Sequence, residues 1–352
     1  MNVFGMQEFD AHERVVFGCD EASGLRAIVA LHSTVRGPAA GGCRMWAYAS
    51  PDEAVADVLR LSRGMSYKNA MASLPFGGGK AVIIGDSRSM KSTQLLQAFG
   101  RLVDSLNGRY ITAEDVGTTI ADMGEVAQVT QYVSGLGRHP GEAGGDPAPK
   151  TALGVLLGIK TAVCFQLGRD DLQGLRVAVQ GVGGVGYHLC RLLAAEGADL
   201  LVADVQPAAT ERAIDEFKAR AVSPQSVLFE AVDVLAPCAL GAVFDDRTTP
   251  RIRARIIAGA ANNQLAQDRH GTALHSAGVL YAPDYVINAG GIISVAREYR
   301  GGSSEAQVTA EIRGICGRLQ EIFERARAQD RGTNQVADEM ARERIGRAAA
   351  TI

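Results

Sequence analysis

At 352 residues the chain is longer than a single hydrophobic core usually serves, so two domains are expected. A formal net charge of −3 with 21% charged residues leaves no basic surplus, which excludes nucleic acid and acidic membrane surfaces as expected partners. The six cysteines, Cys19, Cys43, Cys164, Cys190, Cys238 and Cys316, are scattered, with no C-x-x-C pair and no His spaced to complete a metal site. They read as reduced thiols of a cytoplasmic protein that holds no metal. No apolar run approaches the length needed to cross a bilayer, and the first residues carry no basic region ahead of an apolar one, so no secretory signal is expected.

In chain order, strands are expected at 14–19 and 25–32, helices at 52–65 and 92–106, and a strand near 110–113, which together make an α/β first domain. Within it, Gly64-Met-Ser-Tyr-Lys-Asn-Ala-Met-Ala-Ser-Leu-Pro-Phe-Gly-Gly-Gly-Lys80 places two lysines in an otherwise uncharged segment. Lys68 falls at the end of a helix. Lys80 follows Gly77, Gly78 and Gly79, which let a backbone approach a ligand closely, and the apolar run 81–84 then reads as a buried strand with Lys80 at its mouth. Two ammonium groups brought together and partly dried repel, which permits a lysine base near neutral pH. For an isolated pair, two surface lysines flanking a loop would be the ordinary reading; a second site later in the chain argues against it.

The segment 134–149 is rich in Gly and Pro and poor in apolar residues, which marks a linker or a hinge and places the domain boundary there. A helix at 151–167 leads into Val177-Ala-Val-Gln-Gly-Val-Gly-Gly-Val-Gly186, where Gly181, Gly183 and Gly186 have G-x-G-x-x-G spacing directly after an apolar strand. A helix at 187–196 and a strand ending in Asp204 complete a dinucleotide-binding unit. Its glycines, with Val182, Gly184 and Val185 between them, bring a pyrophosphate to a helix N-terminus, and Asp204 accepts from the ribose hydroxyls. No Arg or Lys follows Asp204 within three residues, so NAD is expected over NADP. Further strands are expected at 242–244 and 256–258. The segment 305–328 carries Val308, Ile312, Ile315, Leu319, Ile322 and Phe323 on one helical face, which should pack.

Several segments then arrive in a recognisable order: Gly37-Pro-Ala-Ala-Gly-Gly-Cys-Arg44, the run 68–80, Thr112-Ala-Glu-Asp-Val-Gly-Thr118, the glycine turn, Ala236-Pro-Cys-Ala-Leu-Gly241, Ala260-Ala-Asn-Asn263 and Tyr281-Ala-Pro-Asp-Tyr-Val-Ile-Asn-Ala-Gly-Gly291. Over nearly its whole length the chain thus resembles the leucine/valine/phenylalanine dehydrogenases of the glutamate dehydrogenase superfamily, with the leucine branch taken as nearest. The resemblance implies reversible oxidative deamination of an L-α-amino acid to its 2-oxo acid and ammonia, with NAD as cofactor and a homo-oligomer as the working form. It implies an N-terminal α/β substrate-binding, catalytic and oligomerisation domain (1–140), a Rossmann-type domain (141–328), a C-terminal helix returning to the first domain (329–352), and an active-site cleft between the domains. By the same resemblance Lys80 is the general acid/base, assisted by Asp115. Lys68, Gly41, Gly42 and Asn262 hold the substrate carboxylate, and Thr151, Asn263 and Asn288 lie near the nicotinamide. A sensor without turnover would keep the glycine turn but lose the lysines or Asp115, and all are present.

Glutamate enzymes of the superfamily carry a lysine where this chain has Ala40 and a serine where it has Val295. Without those polar partners a distal carboxylate would be buried unpaired, so acidic substrates are disfavoured. The lining implied by the resemblance, Ala40, Ala113, Ile292 and Val295, is apolar. The motifs around 112–118 and 285–288 resemble the branched-chain enzymes, whereas Ala40 and Leu74-Pro75-Phe76 resemble the aromatic ones. A leucine-like substrate is expected, with phenylalanine or tryptophan as the alternative. Lys150 and Ser294 depart from the residues common at those positions.

Overall fold

The structure is a computed structural model and describes residues 2–136, 145–239 and 241–348. The chain divides into two compact units, Met1–Gly145 with Val295–Glu305 and Ala341–Ile352, and Asp146–Ser294 with Ala306–Met340. The expected hinge falls largely on residues 137–144, outside the described residues, as does Leu240 of the 236–241 motif.

The first unit contains β1 (Arg14–Asp20), β2 (Leu25–Ser33), β3 (Ala39–Ala40), β4 (Cys43–Trp46), α1 (Pro51–Met71), β5 (Gly77–Ile84), α2 (Thr93–Asp104), β6 (Tyr110–Ile111) and α3 (Ile120–Ala127). Its sheet runs β1-β2-β5-β3-β6, with β4 pairing further along β5. β2 lies antiparallel between β1 and β5, and β3, β4 and β6 join in parallel. The Ser50 hydroxyl caps α1 by accepting from the Glu53 amide, and Pro51 opens its first turn. The apolar stripe Ala54, Val55, Val58 and Leu59 then packs with Ile28, Ala30 and Val82 on one sheet face. Leu95, Phe99 and Val103 of α2 and Met123 and Val126 of α3 close the other face over Leu31, Met45, Ile83 and Tyr110.

One expectation for this unit is corrected. Gly77–Gly79 are not a loop but the first three residues of β5, and Lys80 is buried inside the strand rather than at its mouth. The glycines serve packing: a side chain at Gly78 would overlap the Ser66 backbone of α1, and one at Gly79 would reach 2.8 Å from the Tyr110 ring. α1 can therefore lie directly on the strand that carries Lys80.

The second unit follows as α4 (Ala148–Leu167), β7 (Arg176–Gln180), α5 (Gly184–Ala195), β8 (Asp199–Ala203), α6 (Pro207–Phe217), β9 (Arg220–Ala221), β10 (Val234–Pro237), β11 (Ile256–Ile257), α7 (Asp268–Ser276), β12 (Leu280–Tyr281) and α8 (Asp284–Ile287). α9 (Gly290–Arg300), α10 (Glu305–Gln329) and α11 (Thr333–Arg344) complete the chain. The sheet is parallel throughout in the order β12-β11-β10-β7-β8-β9, so the chain turns in opposite directions on the two sides of β7. This is a doubly wound sheet, whose ligand crevice forms at such a switch point. The α10 stripe is buried as its period requires.

Two further expectations give way. No strand forms at 242–244; Ala242 has a left-handed backbone (φ 55°) and Phe244 makes only an isolated bridge to Leu265, while the strand of this region is β10. α4, at 20 residues with a mean hydropathy of 1.3 in its most apolar window, is long and apolar enough by length and composition to cross a bilayer. Its apolarity has a local use: Ala152, Val155, Ile159, Ala162 and Val163 are buried, and side chains at Gly154 and Gly158 would crowd Ile287, Ile315 and Leu319.

His12 supplies a pH dependence. Its Nε2 lies 3.0 Å from both the Leu59 carbonyl and the Ser62 hydroxyl, and burial, reinforced by the neighbouring His32, holds its pKa down to about 4. The folded value is below the unfolded one of about 6.5, so the unfolded chain binds the extra proton and stability falls as pH drops from about 6.5 through about 4. Replacing His12 by Gln is expected to remove part of that slope in urea melts across this window; an unchanged slope would contradict the assignment.

Candidate active site

Strand alternation puts Gly78, Lys80 and Val82 on the sheet face covered by α1. An ammonium carried there loses water and needs a counter-charge. Asp115 provides it, with Oδ2 at 3.1 Å from Lys80 Nζ; the Lys80 side chain is 6% exposed and that of Asp115 24%. The turn that aims Asp115 is tied at several points. Its amide donates to Thr118 Oγ1 (2.9 Å), that hydroxyl donates to the Cys43 carbonyl (2.8 Å), and the Thr118 amide donates to the Asp115 carbonyl (2.9 Å).

A second cation reaches the same oxygen. Arg44 Nε donates to Asp115 Oδ2 at 3.0 Å, and its other end donates to Asp57 Oδ2 at 2.9 Å. Burial alone would raise the Asp115 carboxyl, but the Lys80 ammonium and the Arg44 guanidinium, by charge and hydrogen bonding, hold it below the ordinary carboxylate value. Asp115 is a fixed anion at neutral pH.

Gly41 and Gly42 interrupt the edge where β3 gives way to β4 alongside β5. A side chain at Gly41 would overlap the Gly79 carbonyl, and one at Gly42 would overlap the Glu114 carbonyl. The Tyr110 hydroxyl donates to the Gly41 carbonyl (2.6 Å), and the Gly41 amide donates to the Ile111 carbonyl (3.1 Å). Ala40 pairs with Gly78 and Ile111, and the Ala113 carbonyl accepts from the Cys43 amide, so both half-buried residues flank this break. Lys68 is half-buried in the last turn of α1. Val295, on α9, accepts from the Ser134 hydroxyl through its carbonyl (3.2 Å).

The remaining expected residues belong to the second unit. β7 ends at Gln180 and Gly181, with a φ of 90°, turns the chain; Gly183 then stands at the N-cap of α5 with no side chain capping the helix. At Gly183 an added Cβ would meet nothing within 4 Å, whereas at Gly186 it would overlap the Gly181 carbonyl. Asp204 closes the turn: Oδ2 accepts from the Val182 amide (2.7 Å) and Oδ1 from the Gln206 amide (2.8 Å). Asn288 is buried, with Nδ2 donating to the Ala260 carbonyl (3.0 Å) and Asn262 Oδ1 (2.8 Å); its Oδ1 has no partner among the described residues. Thr151 Oγ1, bonded to the Pro147 carbonyl (3.0 Å), sits where a side chain at Gly291 would approach to 2.6 Å. Asn262 and Asn263 are exposed, Asn263 with a left-handed backbone (φ 52°), and Ile292 is half-buried on α9. These features fit a dinucleotide: open space and unpaired helix amides for a pyrophosphate, a carboxylate with remaining lone pairs for a ribose, and an orphaned buried acceptor for an amide N–H.

Arg44, Asp57 and Tyr48, whose hydroxyl donates to Asp57 Oδ2 at 2.7 Å, were not singled out from the sequence. Asp57 stands three residues before Arg60 on a helix, which reads as an ordinary surface pair. No local signal relates it to a strand residue thirteen positions earlier.

Comparison with known proteins matches residues 9–132 to the Glu/Leu/Phe/Val dehydrogenase dimerisation domain and residues 202–350 to the Glutamate/Leucine/Phenylalanine/Valine dehydrogenase family. A leucine dehydrogenase of Geobacillus stearothermophilus is 50% identical over 345 residues, covering 98% of this chain and 94% of the relative. A valine dehydrogenase of Streptomyces virginiae is 47% identical over 337 residues, covering 95% and 94%. The crystal structure of L-tryptophan dehydrogenase from Nostoc punctiforme superposes with a TM-score of 0.84 at 45% identity, covering 95% of this chain and 96% of that one.

Because a Cβ at Gly186 collides with the turn itself, Gly186→Ala is expected to weaken NADH binding at least about tenfold, roughly 1.4 kcal/mol. Fluorescence titration measures this, and an unchanged dissociation constant would contradict the role of the turn.

Proposed function

The chain belongs to the Glu/Leu/Phe/Val dehydrogenase family and is an amino acid dehydrogenase that uses a nicotinamide dinucleotide; on that footing we propose that it carries out the NAD-dependent, reversible oxidative deamination of a branched-chain, leucine-like L-amino acid. The observation that carries the reading is the pairing of buried Lys80 with half-buried Asp115, a proton-bearing nitrogen in a covered strand held against a fixed anion.

NAD, held by the residues named below, would supply the acceptor for the hydride of the substrate Cα. The iminium left on the substrate needs water at Cα. Lys80 takes the proton of that attacking water, returns it to the nitrogen of the carbinolamine and takes the hydroxyl proton as the C–N bond breaks, so that ammonia and the 2-oxo acid result. Asp115 compensates the ammonium in its charged phase. Lys68 and Asn262 hold the α-carboxylate, with Gly41 and Gly42 letting the backbone come close to it, while Ala40, Ala113, Ile292 and Val295 receive the side chain. Gly181, Val182, Gly183, Gly184, Val185 and Gly186 take the pyrophosphate and Asp204 the ribose, with Thr151, Asn263 and Asn288 toward the nicotinamide. Asp204 would meet a ribose phosphate with like charge, which supports NAD over NADP. The match of residues 9–132 to a dimerisation domain supports a homo-oligomer.

Lys80→Ala is expected to lower the rate by ~10²–10⁴-fold, as loss of a positioned general base does, while NADH still binds. A variant that kept more than about a tenth of the wild-type rate would contradict the assignment.

A panel of valine, leucine, phenylalanine, tryptophan and glutamate, assayed with NAD and NADP, tests the finer reading. Leucine or valine with NAD is expected to give the highest kcat/KM. Discrimination against the bulkier apolar side chains should be roughly tenfold to two-hundredfold, the scale of apolar pocket selection. An aromatic amino acid in first place would overturn the branched-chain reading, glutamate in first place the apolar lining, and equal use of NADP the role of Asp204.

A further inference from the structure

We propose that Arg44 is a positioning residue for the reaction: it shares the Asp115 oxygen that faces Lys80 and so sets how tightly the Lys80 ammonium is held. The inference rests on the assignment of Lys80 as general acid/base.

The geometry begins in the sheet. Arg44 of β4 lies in register with Val82 of β5, and Val82 and Lys80 alternate onto the same face, so Arg44 and Lys80 are diagonal neighbours under α1. Both converge on one atom, Asp115 Oδ2, at 3.0 Å from Arg44 Nε and 3.1 Å from Lys80 Nζ. A carboxylate oxygen that satisfies two cations binds each less firmly than it would bind one. Arg44 is not free to leave, since its Nη1 is held by Asp57 Oδ2 (2.9 Å). Asp57 is in turn fixed by the Tyr48 hydroxyl (2.7 Å) and by Arg60 Nη2 on Oδ1 (2.8 Å).

The result is an alternating row, Lys80, Asp115, Arg44, Asp57, Arg60, running from a side chain 6% exposed to one 44% exposed. A guanidinium gripped at both ends by carboxylates is a poor candidate for binding substrate directly and a good one for fixing the carboxylate between itself and Lys80. The charged and titratable groups that face this junction are Lys80 from β5, Arg44 and Cys43 from β4, Tyr48 from the segment after it, Asp57 and Arg60 from α1, Tyr110 from β6 and Asp115 from the turn beyond it, with Asp122 of α3 acting on Cys43.

The sign of the effect follows. Removing Arg44 leaves Asp115 to the Lys80 ammonium alone, so the proton that must leave before Lys80 can act as a base is held more tightly. The acidic limb of kcat/KM for deamination then moves to higher pH. Removing the charge of Asp57 frees Arg44 to serve Asp115 alone, and the limb moves to lower pH.

The test uses the purified full-length protein with the best amino acid of the panel. Arg44→Gln is expected to reduce kcat by roughly tenfold to a hundredfold, the scale of a small misplacement of a catalytic group, to leave the NADH dissociation constant unchanged, and to move the acidic limb up by about one pH unit. Asp57→Asn is expected to move it down. Arg44→Lys keeps the cation but not the two-ended grip, so the limb should stay near its wild-type pH with kcat still reduced. If Arg44→Gln does not fold, the Asp57→Asn and Arg44→Lys profiles decide. A lowered melting temperature with unmoved limb and full kcat in the folded variants would make Arg44 merely structural and overturn the proposal, as would shifts of the same sign in Arg44→Gln and Asp57→Asn. Lys80→Ala separates the two levels: an active Lys80→Ala enzyme sinks the underlying reading, whereas an inactive one beside a wild-type-like Arg44→Gln sinks only the role of Arg44.

Discussion

A lysine in the middle of a covered β-strand is the constraint on which the first unit depends. An ammonium removed from water is tolerated only with a counter-ion, and a counter-ion buried with it must itself be satisfied. The turn at 112–118, the break at Gly41–Gly42 and the Arg44 grip all meet that demand around one carboxylate. The tight packing at Gly78 has the same origin, because α1 must come close enough for Asp57 to reach Arg44 while its apolar stripe still seals the sheet.

The second unit answers a different problem, how to leave polar backbone groups open without collapse. Among the described residues the uncapped N-terminus of α5, the open space at Gly183 and the unpartnered Oδ1 of Asn288 are each unfavourable alone. Asp204 limits the cost by tying the turn to the end of β8 through the Val182 amide, while its other oxygen is held by the Gln206 amide. An acid in this position thus braces the turn before it meets any ligand, which bears on how substitutions at Asp204 should be read.

The glycines divide by cause rather than by motif. Gly181 is needed for a left-handed backbone, Gly186 because the turn passes over it, and Gly78 because a helix does. In sequence all three look like invitations to a ligand. Only the neighbours distinguish them, and for Gly78 the neighbour is Ser66, twelve residues earlier on another element.

What the sequence determined by itself was whatever depends on local period and order. The strand at 176–180, its glycine turn and the strand before Asp204, the stripe from Val308 to Phe323, and the caps and apolar faces that make α1 and α2 are written within a few turns of chain. The doubly wound sheet follows from that alternation. Tertiary structure alone decided that β5 begins at Gly77, that the strand beside β7 is β10 rather than a strand at 242–244, and that one face of the apolar α4 is buried within its unit. It alone joined Arg44, Asp57 and Tyr48 to Asp115. The physical reason is common to all of these: each depends on which distant residue lies opposite, through a steric contact or a shared oxygen, and neither leaves a periodic trace in the chain that carries it.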